Sequence, residues 1–386
     1  MIHAPTAENQ TILFGVTSSQ SLRLLGKIPS AMAEIGWDVH VVAGDTESDI
    51  PTDLDGIKVH TLPMVRNPSP LRDISSLVDW ISLVHKVRPK IAVIGTPKAA
   101  LLGLLASLLC RVPVRVYQLR GLRLQTVSGL ASHVLFLMEW ITAKSSTTIL
   151  AVSKSLKDEY CMLGLSESKK IEVLGFGSSH GVDVHYFHPT RWSAWEPHEP
   201  KLRQARSAGM PILGFVGRFS RDKGSQELLQ CCKVLRESGI THAILVIGPL
   251  EGDEESLNAL KRLCPETIFT GHVDDVAPYY STMDLLILPT HREGFPNAVL
   301  EAAATGVPAI TTNATGAIDS VIDGQTGIVV AARDGDALAA QIMDLVCNPK
   351  LVSELARNAR ARALSHFDSE IVTKNYVNFF RKTAKE

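Results

Sequence analysis

The stretch LLILPTHREGFPNAVLEA, Leu285 to Ala302, passes from strand to loop to helix in one short run. Leu285–Leu288 is continuously apolar, as expected of a strand buried on both faces. Pro289 to Glu293 is polar and turn-like, and Phe295–Ala304 reads as a helix. Strand, loop and helix in that order form the repeating unit of a parallel sheet covered by helices.

The same alternation runs outward in both directions. Before it, strands are expected at Thr11–Val16, Val39–Ala43, Lys58–Leu62, Ile91–Gly95, Val114–Leu119, Thr148–Val152 and Ile171–Leu174. Helices are expected between them at Ser21–Ile35, Ile74–Val87, Ala99–Leu109 and Leu130–Ala143. From Gly177 to Met210 the pattern dissolves into Ser, Gly, Pro and Trp, the composition of a linker. It then restarts with strands at Pro211–Val216, Ala243–Ile247, Thr267–Thr270, Leu285–Leu288, Pro308–Thr311 and Gly327–Val330. The helices of this half are Ser225–Glu237, Glu254–Leu263, Phe295–Ala304 and Ala337–Cys347.

The expected fold class is therefore α/β, with two doubly wound Rossmann-like domains facing a central cleft. The first would span residues 1–190 and the second 191–366. Residues 367–386, with a helix near Ser369–Thr383, would pack back on the first domain. A length of 386 residues suits two such cores.

Composition narrows the function. With 45% hydrophobic and 20% charged residues the chain reads as soluble and globular, and its net charge of −1 argues against nucleic acid as a partner. The charge is uneven: from Lys58 to Arg123 eleven basic residues face only Asp73 and Asp79, an excess of nine. That excess is either a solvated face or a surface for an anion such as phospholipid or diphosphate. The start of the chain lacks a basic and then apolar leader, so a cytoplasmic location is expected, peripheral on the inner face of the plasma membrane if the basic surface binds lipid. The run Ala99 to Cys110 is too short to span a bilayer and reads as a buried helix. The six cysteines show no CxxC pair and no His spacing suited to zinc, and read as reduced thiols.

Chemistry concentrates at His291 to Ala302. Backbone N–H groups from Gly294 to Asn297, at a helix start, can hold an anion. Glu293 stands just before the helix and Glu301 about two turns inside it, too far apart to address one atom. They would read two parts of one long ligand, shaped like a sugar diphosphonucleoside. The plain alternative is a capping Glu293 and a solvated Glu301. Gly294 and Pro296 suit close backbone approach and a pre-set first turn. Arg218 and Lys223 follow the first strand of the second half, where both can reach a diphosphate.

Taken in order, Gly217-Arg218-Phe219-Ser220-Arg221-Asp222-Lys223-Gly224, Gly271-His272-Val273, Glu293-Gly294-Phe295-Pro296 with Glu301, and Gly306-Val307-Pro308 resemble glycosyltransferase family 4. Members are retaining enzymes of the GT-B fold, and the likeness covers nearly the whole chain. It implies a hexosyltransferase of the EC 2.4 class, similar to bacterial polysaccharide and lipid-linked oligosaccharide enzymes. The donor would be a nucleoside diphosphate sugar, a UDP-linked hexose or N-acetylhexosamine. The acceptor would be a hydroxyl of a glycan or of a polyprenyl diphosphate-linked sugar.

By the same resemblance Arg218 and Lys223 neutralise the donor phosphates, Glu293 holds sugar hydroxyls and Glu301 the ribose. Gly217, Gly294, Phe295, Pro296 and Asn297 complete the donor site. Gly271, His272 and Val273 match the loop that holds the base, although His272 also suits an ordinary loop. Gly181-Val182-Asp183, with Phe187 and Pro189, resembles the interdomain segment.

In the first domain Arg120 stands where relatives often place a His that touches the donor sugar, so it joins Glu293, Arg218 and Lys223 as a catalytic candidate. Arg120 and Arg123 are candidates for acceptor or donor phosphate, or simply a basic sheet edge. Ser19 or Gln20 would contact acceptor or phosphate, or cap a helix. Asp53-Leu54-Asp55 mimics a metal-binding DxD but has no companion ligand. No cofactor and no metal are expected, because Arg and Lys take the place of the ion.

Two other functions suit the same architecture. A sugar-nucleotide epimerase would place solvent deuterium at the sugar C2 without an acceptor. A non-catalytic nucleotide-sugar-binding subunit would show no turnover at all.

Overall fold

The computed structural model describes residues 10–44, 56–64, 69–127 and 129–385. The chain forms two compact units, Met1–His180 with Ser369–Glu386, and Gly181–Asp368. Residues 181–190, expected to close the first domain, thus belong to the second unit. There the Val182 amide donates to Phe367 O at 2.8 Å, and the Phe187 ring packs 5.9 Å from Tyr280.

In the first unit, strands β1 (Thr11–Gly15), β2 (Asp38–Ala43), β3 (Ile57–Thr61), β4 (Ile91–Gly95), β5 (Val114–Leu119), β6 (Thr148–Ala151) and β7 (Ile171–Glu172) form a sheet of order β3-β2-β1-β4-β5-β6-β7. Every pairing is parallel. Helices α1 (Ile28–Glu34), α2 (Pro70–Val87), α3 (Pro97–Leu109), α4 (Leu130–Ser145) and α5 (Lys154–Met162) connect the strands. The apolar run from Ala99 lies in α3, where Ala99, Ala100, Leu102, Leu104 and Ala106 are buried. The helix expected over Ser21–Ile35 is instead broken into a 3-10 turn, Ser19–Leu25, and α1. Gly26 separates them at φ 54, a left-handed conformation that no helix can continue through.

The C-terminal helix Ser369–Thr383 belongs to this unit. Val372, Tyr376, Phe379 and Phe380 enter the core beside Ile12, Val41 and Val93, and Phe380 meets Phe14 edge to face at 6.0 Å.

Helix α4 carries a buried carboxyl. Glu139 accepts hydrogen bonds from the hydroxyls of Tyr117 (3.0 Å) and Tyr160 (3.3 Å), yet burial outweighs them and lifts it from 4.5 to about 7. A group with a raised folded-state pKa adds stability below its unfolded value, and that contribution disappears as pH rises through the folded one. The wild-type chain should therefore lose up to about 3 kcal/mol between about pH 4.5 and 7 from this residue. In Glu139→Gln that part of the pH dependence should vanish, as melting curves at about pH 5 and pH 8 will show.

The second unit repeats the design. Strands β8 (Ile212–Val216), β9 (Ala243–Ile247), β10 (Ile268–Gly271), β11 (Leu285–Leu288), β12 (Ala309–Thr312) and β13 (Gly327–Val330) take the order β10-β9-β8-β11-β12-β13, all parallel. Its helices are α6 (Pro200–Ser207), α7 (Ser225–Glu237), α8 (Glu254–Leu263), α9 (Ala277–Tyr280), α10 (Asn297–Thr305), α11 (Gly335–Val346) and α12 (Pro349–Arg362). Alternate strand residues serve opposite faces: Ile244 and Val246 join α7 and α11 in one core, and Leu245 and Ile247 join α6 and α10 in the other.

Candidate functional site

In each sheet the strand order reverses direction beside the first strand, so ligands are expected where the loops leave that point. In the second unit this point lies between β8 and β11, paired through Leu213↔Leu285 and Gly214↔Leu286. The loops Gly217–Gly224 and Pro289–Pro296 consequently rise side by side. Thr290 Oγ1 and the His291 amide both donate to Asp222 O, at 3.2 and 3.0 Å. Gly224, at φ 85, lets the loops touch: a Cβ there would stand 2.1 Å from Pro289 O.

This junction gathers charge. Lys223 Nζ donates to Glu293 Oε1 at 2.5 Å, with side chains only 19% and 15% exposed. Asp222 takes Arg292 Nη2 at 3.1 Å and Arg218 Nη2 at 3.6 Å, and although burial pushes its carboxyl up, the Ser220 hydroxyl and these cations outweigh it and hold the group below the usual range. His291 Nε2 meets Glu227 Oε1 at 2.9 Å. Three cations thus surround two carboxylates, Asp222 and Glu293, at the head of α10. Asp222, Arg292 and the His291–Glu227 pair were not singled out from sequence. Their charge alternation is local, but their pairing spans about seventy residues and carries no sequence signal.

Helix α10 begins at Asn297, two residues later than expected, because Pro296 takes the N-cap position at ψ 110. No side chain caps it. Phe295 is buried against Phe367 at 5.2 Å, which anchors the loop from beneath. Inside the helix, Glu301 Oε2 accepts from the buried Tyr280 hydroxyl at 2.8 Å, so this carboxylate is held in place rather than merely solvated. Gly271 ends β10, His272 is exposed, and Val273 packs on the core beside α9.

The first unit presents its own crest where β1 meets β4. Thr17 and Thr96, at those strand ends, are joined hydroxyl to hydroxyl at 2.7 Å. Ser18, rather than Ser19, stands at the N-cap of the following turn, with Ser19 and the exposed Gln20 just beyond it. Arg120 leaves the end of β5 and donates through Nη2 to Gln118 Oε1 at 2.6 Å, while its Nε and Nη1 are buried without a hydrogen-bond partner. Burial lowers its pKa to about 10, and burial beside Arg120 and Arg23 lowers His180 to about 4, so a neutral imidazole faces a cation that lacks a counter-ion among the described residues. Arg123 is exposed at the start of a 3-10 turn. Asp53-Leu54-Asp55 lies outside the described residues.

The six cysteines are free, as expected of reduced thiols. Cys232, His242 and Cys264, from three separate elements, converge with their ligand atoms within 4.8 Å of one another. No local spacing announces that grouping.

Two doubly wound parallel sheets, with cationic loops over a helix start at the switch point of the second, define the GT-B class of α/β protein. Residues 210–348 match the family described as glycosyl transferases group 1, and residues 26–177 match the glycosyl transferase 4-like domain. The chain is 37% identical over 382 residues to the capsular polysaccharide biosynthesis glycosyltransferase CapM of Staphylococcus aureus, covering 98% of this chain and 99% of that one. It is 25% identical, over 81% of each, to the Escherichia coli UDP-Gal:alpha-D-GlcNAc-diphosphoundecaprenol alpha-1,3-galactosyltransferase. Anabaena HepE, solved with UDP, shares the fold at a TM-score of 0.77 and 18% identity, over 96% of this chain and all of that one. The chain belongs to the family 4, group 1 glycosyltransferases.

Proposed function

We propose that this glycosyltransferase moves a hexose or N-acetylhexosamine from its UDP conjugate, with retained configuration, to a hydroxyl of a polyprenyl diphosphate-linked glycan in bacterial polysaccharide assembly. The observation that carries this reading is the Lys223–Glu293 pair flanked by Arg218 at the uncapped start of α10. Cations and helix amides would take up charge on the departing diphosphate, which is where the transition state needs it. Glu293 would turn to the sugar hydroxyls, Glu301 to the ribose diol, and Gly271 to Val273 to the base. With Arg218 and Lys223 in these roles the reaction needs no metal ion. The names of CapM and the diphosphoundecaprenol galactosyltransferase support the choice of donor and acceptor class.

Thermal stabilisation by a panel of nucleotide sugars tests the donor half, since a ligand at a hundred times its Kd adds roughly 2.7 kcal/mol. Silence from every nucleotide would sink the reading.

The acceptor half rests on Arg120, a buried cation with two unpartnered nitrogens. Replacing it with methionine should raise KM for a diphosphate-linked acceptor at least about tenfold, the scale of one charged hydrogen bond. UDP-induced stabilisation should stay unchanged; its loss would place Arg120 on the donor instead.

Membrane delivery of the acceptor is supported by α4. Leu130 (83% exposed), Val134 (48%) and Leu137 (55%) form one stripe, continued by Trp140 with Lys144 over its ring. Exposed Leu71, Ile74 and Val78 line α2, and α3 packs between the two helices. Among the described residues no helix is long and apolar enough to cross a membrane, so the contact would be interfacial. A Val134→Glu, Leu137→Glu double variant should lose about tenfold or more of its binding to phosphatidylglycerol vesicles, measured by co-sedimentation. Equal sedimentation of both proteins would remove the membrane from the proposal.

A further inference from the structure

Away from the transferase loops, three metal-ligating side chains meet inside the second unit. Cys232 projects from α7, His242 immediately precedes β9, and Cys264 immediately follows α8. All three are buried, and their ligand atoms lie mutually within 4.8 Å. Around a tetrahedral zinc ion, with bonds of about 2.3 Å to sulfur and 2.0 Å to nitrogen, such atoms stand roughly 3.5–3.8 Å apart. Closing that gap takes small side-chain rotations rather than movement of the backbone.

The histidine is already set for coordination. Its Nδ1 lies 2.9 Å from Ile240 O, and because a carbonyl only accepts, Nδ1 must carry the proton. Nε2 is then the lone-pair nitrogen, and it is buried without a hydrogen-bond partner. A ring fixed through one nitrogen with the other presented to a soft ligand set is how metal-bound histidines are ordinarily held. A buried structural histidine more commonly has partners on both nitrogens.

The sulfurs fit the same role. Both are buried in the core beside the imidazole, on separate segments, and neither is in a disulfide. A divalent ion with two thiolates and a neutral imidazole sums to zero charge, the one ionic arrangement that a fully buried position tolerates cheaply. On binding, both thiol protons would leave to solvent and two metal–sulfur bonds would form.

We propose that Cys232, His242 and Cys264 bind a thiophilic d10 cation, zinc(II) or copper(I), which ties α7 to β9 and to the end of α8. Zinc is favoured by charge, and its fourth position falls to a small exogenous ligand; copper(I) is satisfied by the three. Because α7 starts directly after Gly224, the ion would stiffen the element that carries the Lys223 loop, without touching the reacting atoms.

The experiment measures metal in the purified full-length protein by inductively coupled plasma mass spectrometry, after separate loading with zinc and with copper(I). Cobalt(II) loading serves as a spectroscopic probe. One equivalent of either metal, a sulfur-to-cobalt charge-transfer band, and loss of both in His242→Gln and Cys264→Ser are expected, whereas Cys161→Ser and Cys347→Ser should bind normally. Far-UV circular dichroism checks that the variants fold, and the wild-type cobalt spectrum stands independently of them. The proposal is overturned by under about a tenth of an equivalent of both metals, by binding that survives His242→Gln, or by a Cys232–Cys264 disulfide in freshly isolated protein. None of these outcomes bears on glycosyl transfer, so the two readings fail separately.

Discussion

Lys223→Met should lower kcat/KM for glycosyl transfer by about a thousandfold, the upper range for removing one preorganised electrostatic partner from a transition state. Methionine keeps the length of the apolar stem and removes only the charge. The loop itself should persist, because Lys223 N donates to Ser220 O at 3.0 Å and Gly224 N to Arg221 O at 3.1 Å whatever the side chain. Some stability will be lost, since Glu293 is left half-buried and unpaired, at a cost of roughly 1–3 kcal/mol. Lys223→Arg separates the effects: it restores the charge and should recover activity to within about tenfold. A methionine variant that kept more than a tenth of wild-type kcat/KM would remove Lys223 from the reaction.

Glu293→Gln should act in two opposed directions. Turnover should fall by about a hundredfold or more, because a neutral amide holds sugar hydroxyls less strongly than a carboxylate does. Binding of UDP alone should tighten by about threefold to tenfold. Lys223 is engaged by Glu293 at 2.5 Å, so an incoming diphosphate must win the ammonium from the carboxylate. The amide removes that competitor, and a tenfold gain corresponds to about 1.4 kcal/mol, a modest share of what breaking a largely buried pair costs. Calorimetric titration with UDP reads this directly. If affinity and turnover fell together, Glu293 would be a plain donor contact and the exchange of partners would not occur.

The strands among the described residues were legible chiefly because parallel strands covered on both faces are nearly continuously apolar; the edge strand Ile57–Thr61, with Lys58 and His60, shows instead the alternation of a half-covered strand. Helices were legible in proportion to the stripe they bury. Helix α12 keeps only Leu355 and Ala359 fully buried, and α5 only Leu156 and Tyr160, too few to stand out as a period. The first helix was over-read because Leu22, Leu25, Ile28 and Met32 keep helical spacing straight across Gly26, where the backbone turns aside.

At the site, Arg218, Lys223 and Glu293 stood out as residue types in loops after strands, and Glu301 as a carboxylate inside the helix that follows. What each one holds did not. Glu293, the partner of Lys223, and Tyr280, the partner of Glu301, lie in other segments, and only the folded sheet brings them into register. The Cys232, His242 and Cys264 group is the extreme case, since none of its members neighbours another in sequence.

The return of Ser369–Thr383 to the first unit has a consequence for how the protein is made. The ribosome delivers the seven strands of the first sheet early, but Tyr376, Phe379 and Phe380, which seal one face of that sheet, emerge last. The intervening Gly181–Asp368 segment contains every part of its own core and can fold while synthesis continues. The domain that begins the chain must therefore wait for its final helix, with an apolar seam open throughout, and a nascent chain halted before residue 369 would pair one finished domain with one unfinished one.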